Sequence, residues 1–235
     1  MDKPKSKRAT RFSNSQSEAK TKIVSLTPLN DNQKLYIDSL RGKDQVIVCG
    51  YSGTGKTYIA ATHAANLYLA RDIDKIIVTR PNVSVGKSLG YFPGTMDEKM
   101  APWVAPVLDV LKKQMGAGVV DTGIKSGNIE VAPLSTMRGR SFEDAFIILD
   151  EASNTSVQEI MMFLTRMGKN THVVVNGDVR QSDLKEPQQN GLSKAIHLVK
   201  KYNMDVPVIE FGIEDIVRSG RTKDWVIAFT EEGLM

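Results

Sequence analysis

The 235-residue chain has one cysteine, three histidines and an aromatic content of only 6%. Cys49 alone can build neither an intrachain disulfide nor a multi-cysteine zinc site, which fits a reducing compartment, and in its apolar strand it reads as a small buried hydrophobe. His63, His172 and His197 stand far apart, so no pair has metal-ligand spacing and each reads as a core or surface residue. Long apolar runs are missing too: none exceeds about eight residues, against the ~20 needed to span a bilayer, so no membrane partner is expected. The first 25 residues lack the apolar segment of a signal peptide, and the reading is a cytoplasmic protein. What is present is ordinary globular material, 41% apolar and 25% charged, enough over this length for an enzyme-sized core.

The formal net charge of +4 is unevenly spread. Lys3, Lys5, Lys7, Arg8, Arg11, Lys20 and Lys22 stand against Asp2 and Glu18, so residues 1–22 carry +5 and the rest of the chain −1. Residues 1–26 therefore read as a basic tail too poor in apolar side chains to pack, and 27–235 as one folded domain. Two roles are open for the tail: a solvated arm, or a tether that binds polyanions non-specifically and weakens with salt.

Past the tail, short apolar segments alternate with helical patterns. Strands are expected at 45–49, 75–79, 128–132, 145–149, 171–176 and 206–211. Helices are expected from Thr27-Pro28 to about Gly42, at 56–70, in a Pro-interrupted stretch ending near Met115, at 155–168 and at 188–202, with 116–127 as a turn-rich insert. Met161-Met162-Phe163-Leu164 reads as core packing, and Trp103 and Trp225 as helix anchors. Buried strands separated by helices imply an α/β fold, a parallel sheet with helices on both faces, doing its chemistry at the carboxyl ends of the strands.

The first strand runs into Gly50-Tyr51-Ser52-Gly53-Thr54-Gly55-Lys56-Thr57, which matches G-x-x-x-x-G-K-S/T with a strand before it and a helix after it. The glycines let backbone N–H groups converge on phosphate oxygens, and the following helix adds its positive end. Lys56 is placed to reach the β- and γ-phosphates of ATP, and the Thr57 hydroxyl to ligate Mg²⁺. Phe146-Ile147-Ile148-Leu149 ends in Asp150, placed to hold the metal through water, and Glu151, placed to polarise a water beside the γ-phosphate. A carboxylate there favours hydrolysis over a small-molecule kinase, which must keep water out. Gln181, in Gly177-Asp178-Val179-Arg180-Gln181, is placed to hydrogen-bond the γ-phosphate or the attacking water, while Asp178 either orients a neighbour or only makes a turn.

Thr79-Arg80-Pro81, Gly86-Lys87-Ser88-Leu89-Gly90-Tyr91-Phe92-Pro93-Gly94 and Met137-Arg138-Gly139-Arg140-Ser141-Phe142, with Asp150-Glu151-Ala152-Ser153-Asn154 and the Gly177–Gln181 segment, resemble the PhoH-like family of phosphate-loop ATPases over about residues 27–230. The resemblance implies a P-loop NTPase with a RecA-like core similar to superfamily 1 helicases, with the Gly177-bearing strand between the phosphate-loop strand and the Asp150 strand. It implies ATP with Mg²⁺, a Gln33 that reads the adenine edge, and an Arg218 that acts as an arginine finger within the chain or across a subunit boundary, unless it makes only a surface salt bridge. It also implies a homo-oligomer, with a hexameric ring as one form. Ser153 stands where many members have Gln, and Tyr51-Ser52 replaces the usual Pro-Ala. No RNA-binding or nuclease-like module of the kind longer members carry is expected within the 26 residues before Thr27. RNA or single-stranded DNA would then meet the tail or the loops 80–95 and 134–142, where Arg80, Lys87, Tyr91, Arg138 and Arg140 are candidate contacts able to reach phosphates and stack bases. The alternative is an ATP-binding switch that recruits a protein partner without nucleic-acid activity. Whether ATP turnover unwinds a duplex stays open.

Overall fold

The computed structural model describes residues 23–81, 96–180, 190–218 and 220–233. Its elements in chain order are α1 (Asp31–Gly42), β1 (Gln45–Gly50), α2 (Lys56–Ala70), β2 (Lys75–Arg80), α3 (Met96–Met115), α4 (Ala117–Ser126), β3 (Ile129–Pro133), β4 (Ala145–Leu149), α5 (Val157–Leu164), β5 (Thr171–Gly177), α6 (Gly191–Tyr202), β6 (Val208–Phe211) and α7 (Gly220–Glu231). None of the described helices is long and apolar enough to cross a membrane.

Three elements differ most from the sequence expectation, and one of them, α7, has no counterpart in it. The first helix starts at an Asn30 cap, whose side chain accepts the Gln33 N–H, rather than at Thr27; Asn satisfies a first-turn donor better than Thr does. Residues 117–126 form α4 instead of a turn-rich insert. Gly123 is there for packing, because a Cβ on it would come within 2.7 Å of the Ile129 side chain.

The strands form one sheet in the order β3-β2-β4-β5-β1-β6, and every pairing is parallel. β5, which ends in Gly177, thus lies between β1 and β4. Alternation along each strand divides the core in two. Val46, Val48, Ile76, Val78, Phe146, Ile148 and Val174 face α1, α2, α3 and α4, where Tyr36, Ile59, Val107 and Leu111 close the layer. Ile47, Cys49, Ile77, Ile147, Leu149, Val173 and Val175 face α5 and α6, against Ile160, Phe163, Leu192 and Ala195. This is a doubly covered α/β sheet of the phosphate-loop NTPase type. Its register pairs Thr79 with Leu149, Leu149 with Val175, and Cys49 with Gly177, so four strands end side by side at one edge of the sheet, with β5 and β1 running on past the end of β4. Gly50 closes β1 at φ 128 directly beneath the Phe211 carbonyl.

His63 on α2 packs edge-on to Phe146 at 5.7 Å between ring centroids. Burial above all, then the charges of His172 and Arg41, lower its pKa to about 4 against the pull of a backbone hydrogen bond to Leu40. Between the usual value near 6.5 and about 4, the unfolded chain takes up a proton that the folded chain refuses. Stability is therefore full above pH ~6.5 and falls, by up to ~3 kcal/mol, as pH drops toward 4. Denaturant midpoints at pH 7 and 4.5 check this, and His63→Leu flattens the slope. Gly50→Ala destabilises by more than ~3 kcal/mol in the same assay, since its Cβ meets the Phe211 backbone at a positive φ that only glycine adopts freely.

Candidate functional site

The strand ends open into one cavity of about 370 Å³, lined by phosphate-loop residues together with Arg80, Asp150, Glu151, Asp178 and Arg218. Its floor is the loop from Gly50 to Thr57. Gly55 stands at the N-cap of α2 with φ 92 and makes no side-chain cap, so the first N–H groups of the helix are left for an anion. The Lys56 ammonium folds back onto the loop and donates to the Gly50 carbonyl at 2.6 Å and the Tyr51 carbonyl at 2.7 Å. Burial lowers its pKa, with Asp178, Asp150 and Glu151 pulling the other way. An anion entering the cavity would take over from those carbonyls.

Thr57 Oγ1 lies 3.4 Å from Asp150 Oδ1. The carboxylate is at the tip of β4, with its backbone N–H donating to the Thr79 carbonyl at 3.0 Å. Burial first, and the neighbouring Glu151 charge second, raise the pKa of Asp150; Arg80 and Lys56 offset part of this. A hydroxyl beside an ionisable, half-buried carboxylate is an all-oxygen donor pair that suits a hard divalent cation such as Mg²⁺, and such an ion would offset the cost of desolvating that charge. The residues present fit the ion.

Glu151 turns the chain at φ 55, a left-handed conformation that costs a residue with a Cβ roughly 1 kcal/mol or more. Its carboxylate Oε1 is 3.3 Å from Arg80 Nη2. Gly177 lets the turn after Glu151 pack down, since a Cβ there would stand 2.9 Å from the Ser153 N–H. Buried Asp178 accepts through Oδ1 from the Arg180 backbone N–H at 3.1 Å and from its Nε at 3.0 Å. The Arg180 guanidinium in turn lies 3.3 Å from the Tyr51 ring centroid. Tyr51 thereby joins the phosphate loop to the segment that leads to Gln181. Gln181 itself, like Lys87 and Tyr91, lies outside the described residues.

Gln33 is buried, and both ends of its amide are engaged. It donates to the Thr54 carbonyl at 2.9 Å and accepts the Leu29 N–H at 2.9 Å, bracing the phosphate loop. Reading an adenine edge would require exchanging those bonds. Arg218 reaches the loop of its own chain. Nη2 donates to Ser52 Oγ at 3.1 Å, the Val217 N–H donates to the Gly53 carbonyl at 3.0 Å, and a Cβ on Gly53 would lie 2.5 Å from Arg218 Nε. Asp215 fixes that approach by accepting from Asn32 at 2.7 Å and from the Gly212 N–H at 2.8 Å.

Two of the expected nucleic-acid contacts are engaged within the chain. Arg80 donates to the Trp103 carbonyl at 2.7 Å and pairs with Glu151. Arg140 grips Glu130 with both guanidinium nitrogens, Nη2 at 2.8 Å from Oε2, and stacks over Phe142; the pair lowers the Glu130 pKa. Arg138 is exposed. Sequence reasoning did not single out Arg180, Asn32 or Asp215. Their partners are distant in sequence or, for Arg180, hidden in an ordinary-looking turn.

The family described as PhoH-like protein matches residues 25–230. Protein PhoH of Escherichia coli strain K12 is 42% identical over 192 residues, 81% of this chain and 54% of that protein. A PhoH-like protein of Mycobacterium leprae is 41% identical over 204 residues, 87% of this chain and 58% of that protein. The chain thus spans little more than half the length of these curated relatives. Among solved structures, a Pif1 helicase from Candida albicans resembles it at a TM-score of 0.38 and 14% identity, over 79% of this chain and 40% of that one, too slight a likeness to argue from. The match across nearly all of the described chain, at about two residues in five, shows that this protein belongs to the PhoH-like family of phosphate-loop NTPases.

Proposed function

We propose that the chain is a Mg²⁺-dependent ATP hydrolase whose turnover is coupled to RNA or single-stranded DNA. The reading rests on one observation, the convergence of Lys56, Thr57, Asp150 and Glu151 in one cavity over a helix N-terminus. The loop N–H groups and Lys56 hold the phosphates, and Thr57 and Asp150 hold the metal. When bound, Mg²⁺ supplies positive charge that neutralises the phosphate oxygens. Glu151 takes a proton from the attacking water as that water's oxygen bonds to the γ-phosphorus and the bond to the β-γ bridging oxygen breaks. Arg218, already against Ser52 and Gly53, brings its charge to the same end of the cavity. Among the described residues, exposed Arg138 is the candidate cation left for a polymer, beside Lys87 and the basic tail, which lie outside them.

A second reading, a nucleotide switch for a protein partner, is favoured by a different observation. Trp225 and Phe229 stack at 5.5 Å on α7 while remaining 63% and 42% exposed, whereas Arg80 and Arg140 are engaged internally.

Glu151→Gln lowers phosphate release by about 10²-fold or more while nucleotide affinity stays within about threefold, and Lys56→Ala loses affinity instead. Phosphate release and nucleotide titration measure both; a Glu151→Gln protein at wild-type turnover contradicts the hydrolase reading. Titrating a labelled single strand at two salt concentrations separates the two readings. Affinity that falls with log salt, with a shallower slope in Arg138→Ala, supports the polymer, and no binding by the core supports the switch.

A further inference from the structure

Arg80 is the last residue of β2, and its side chain is only 18% exposed. It spans two elements. Nη1 donates to the Trp103 carbonyl on α3 at 2.7 Å, the guanidinium carbon sits 5.5 Å from the Trp103 ring centroid, and Nη2 is 3.3 Å from Glu151 Oε1. Nε is buried and has no hydrogen-bond partner among the described residues. A buried orphan donor lowers stability, so folding alone would not select this placement for a guanidinium.

The other end of the pair is constrained as well. With its backbone fixed at φ 55, Glu151 can re-aim its carboxylate only by side-chain rotation, and Arg80 is the cation that holds that rotation. Pairing through Oε1 orients the carboxylate toward the guanidinium, and a water must compete for that orientation. The hold is also breakable, since the Glu151 side chain is 43% exposed and ion pairs in such settings are weak. The anchor on α3 lies where the helix is softened, because Pro102 and Pro106 on either side of Trp103 have no N–H to donate to the ladder.

We propose that Arg80 is a positioning residue that restrains Glu151: tied to Trp103 on α3 and to the carboxylate across the cavity, it keeps Glu151 turned from the attacking water until α3 shifts. The proposal rests on the reading of Glu151 as the group that activates water. It gives Arg80 a role inside the site, in place of direct contact with a polymer, and makes α3 the element through which an outside event changes the hydrolytic rate.

Steady-state phosphate release at saturating Mg²⁺ and varied ATP tests it. Arg80→Gln removes the charge and raises kcat about two- to fivefold, the factor a partly exposed ion pair represents, with KM for ATP within about twofold of wild type. Arg80→Lys keeps the charge but cannot fork between Trp103 and Glu151, and it raises kcat by less; it carries the test if Arg80→Gln does not fold. An unchanged or lower kcat, or a KM raised by more than about fivefold, overturns the proposal, because Arg80 would then support packing or touch the nucleotide. Glu151→Gln run alongside separates the two failures. If it is inactive and the Arg80 variants are not faster, only the restraint is wrong. If it turns over like wild type, the role of Glu151 itself falls.

Discussion

Two carboxylates side by side at the end of a buried strand impose the main constraint on this protein. Asp150 is buried deeply enough, and close enough to Glu151, that its charged form is disfavoured. What keeps such a pair tolerable is the ring of cations and donors around it: Lys56 and Arg80 within the cavity, the Thr57 hydroxyl against Asp150, and the Asp150 backbone N–H tied to β2. An arrangement that leaves a negative site short of full compensation is one that a divalent cation completes. The phosphate loop presents the opposite electrostatics, with uncapped helix N–H groups and a lysine folded onto its own carbonyls. The acidic and basic halves face each other across about 370 Å³, and a magnesium triphosphate has the charge to satisfy both.

The fold holds these halves at a fixed separation. The register sets the carboxyl ends of β1, β2, β4 and β5 side by side, and the two cores on either side of the sheet lock that arrangement. Close approaches do the fine placement. Gly50 beneath Phe211 sets where the loop leaves β1, and Gly177 beside Ser153 lets the turn after Glu151 lie against β5. Gln33 braces the loop from α1 through Thr54, and Val217 and Arg218 brace it from the segment after β6. Elements far apart in sequence thus meet on the loop from Gly50 to Thr57.

Much of this was legible in the chain itself. Strand positions follow from short apolar runs, and the phosphate loop and the Asp150-Glu151 pair are local patterns whose chemistry requires those residue types at that spacing. Helix α4 was missed because its glycines, one of which makes room for Ile129, resemble turn residues in a one-dimensional reading. The arginines were the hardest to place. A guanidinium reaches far enough that its partner is set by tertiary geometry: Arg80 finds Trp103 and Glu151, Arg140 finds Glu130, and Arg180 finds Tyr51, none of which is encoded in local spacing.

The most direct measurement of the central claim is a structure of the protein with Mg²⁺ and a nonhydrolysable ATP analogue. The account predicts that Lys56 leaves the Gly50 and Tyr51 carbonyls for the β- and γ-phosphate oxygens, that the metal lies against Thr57 with Asp150 beside it, and that Glu151 stands beside the terminal phosphate with Arg80 still paired to it. A nucleotide bound elsewhere, or phosphates in the loop with Lys56 still on those carbonyls, would contradict it.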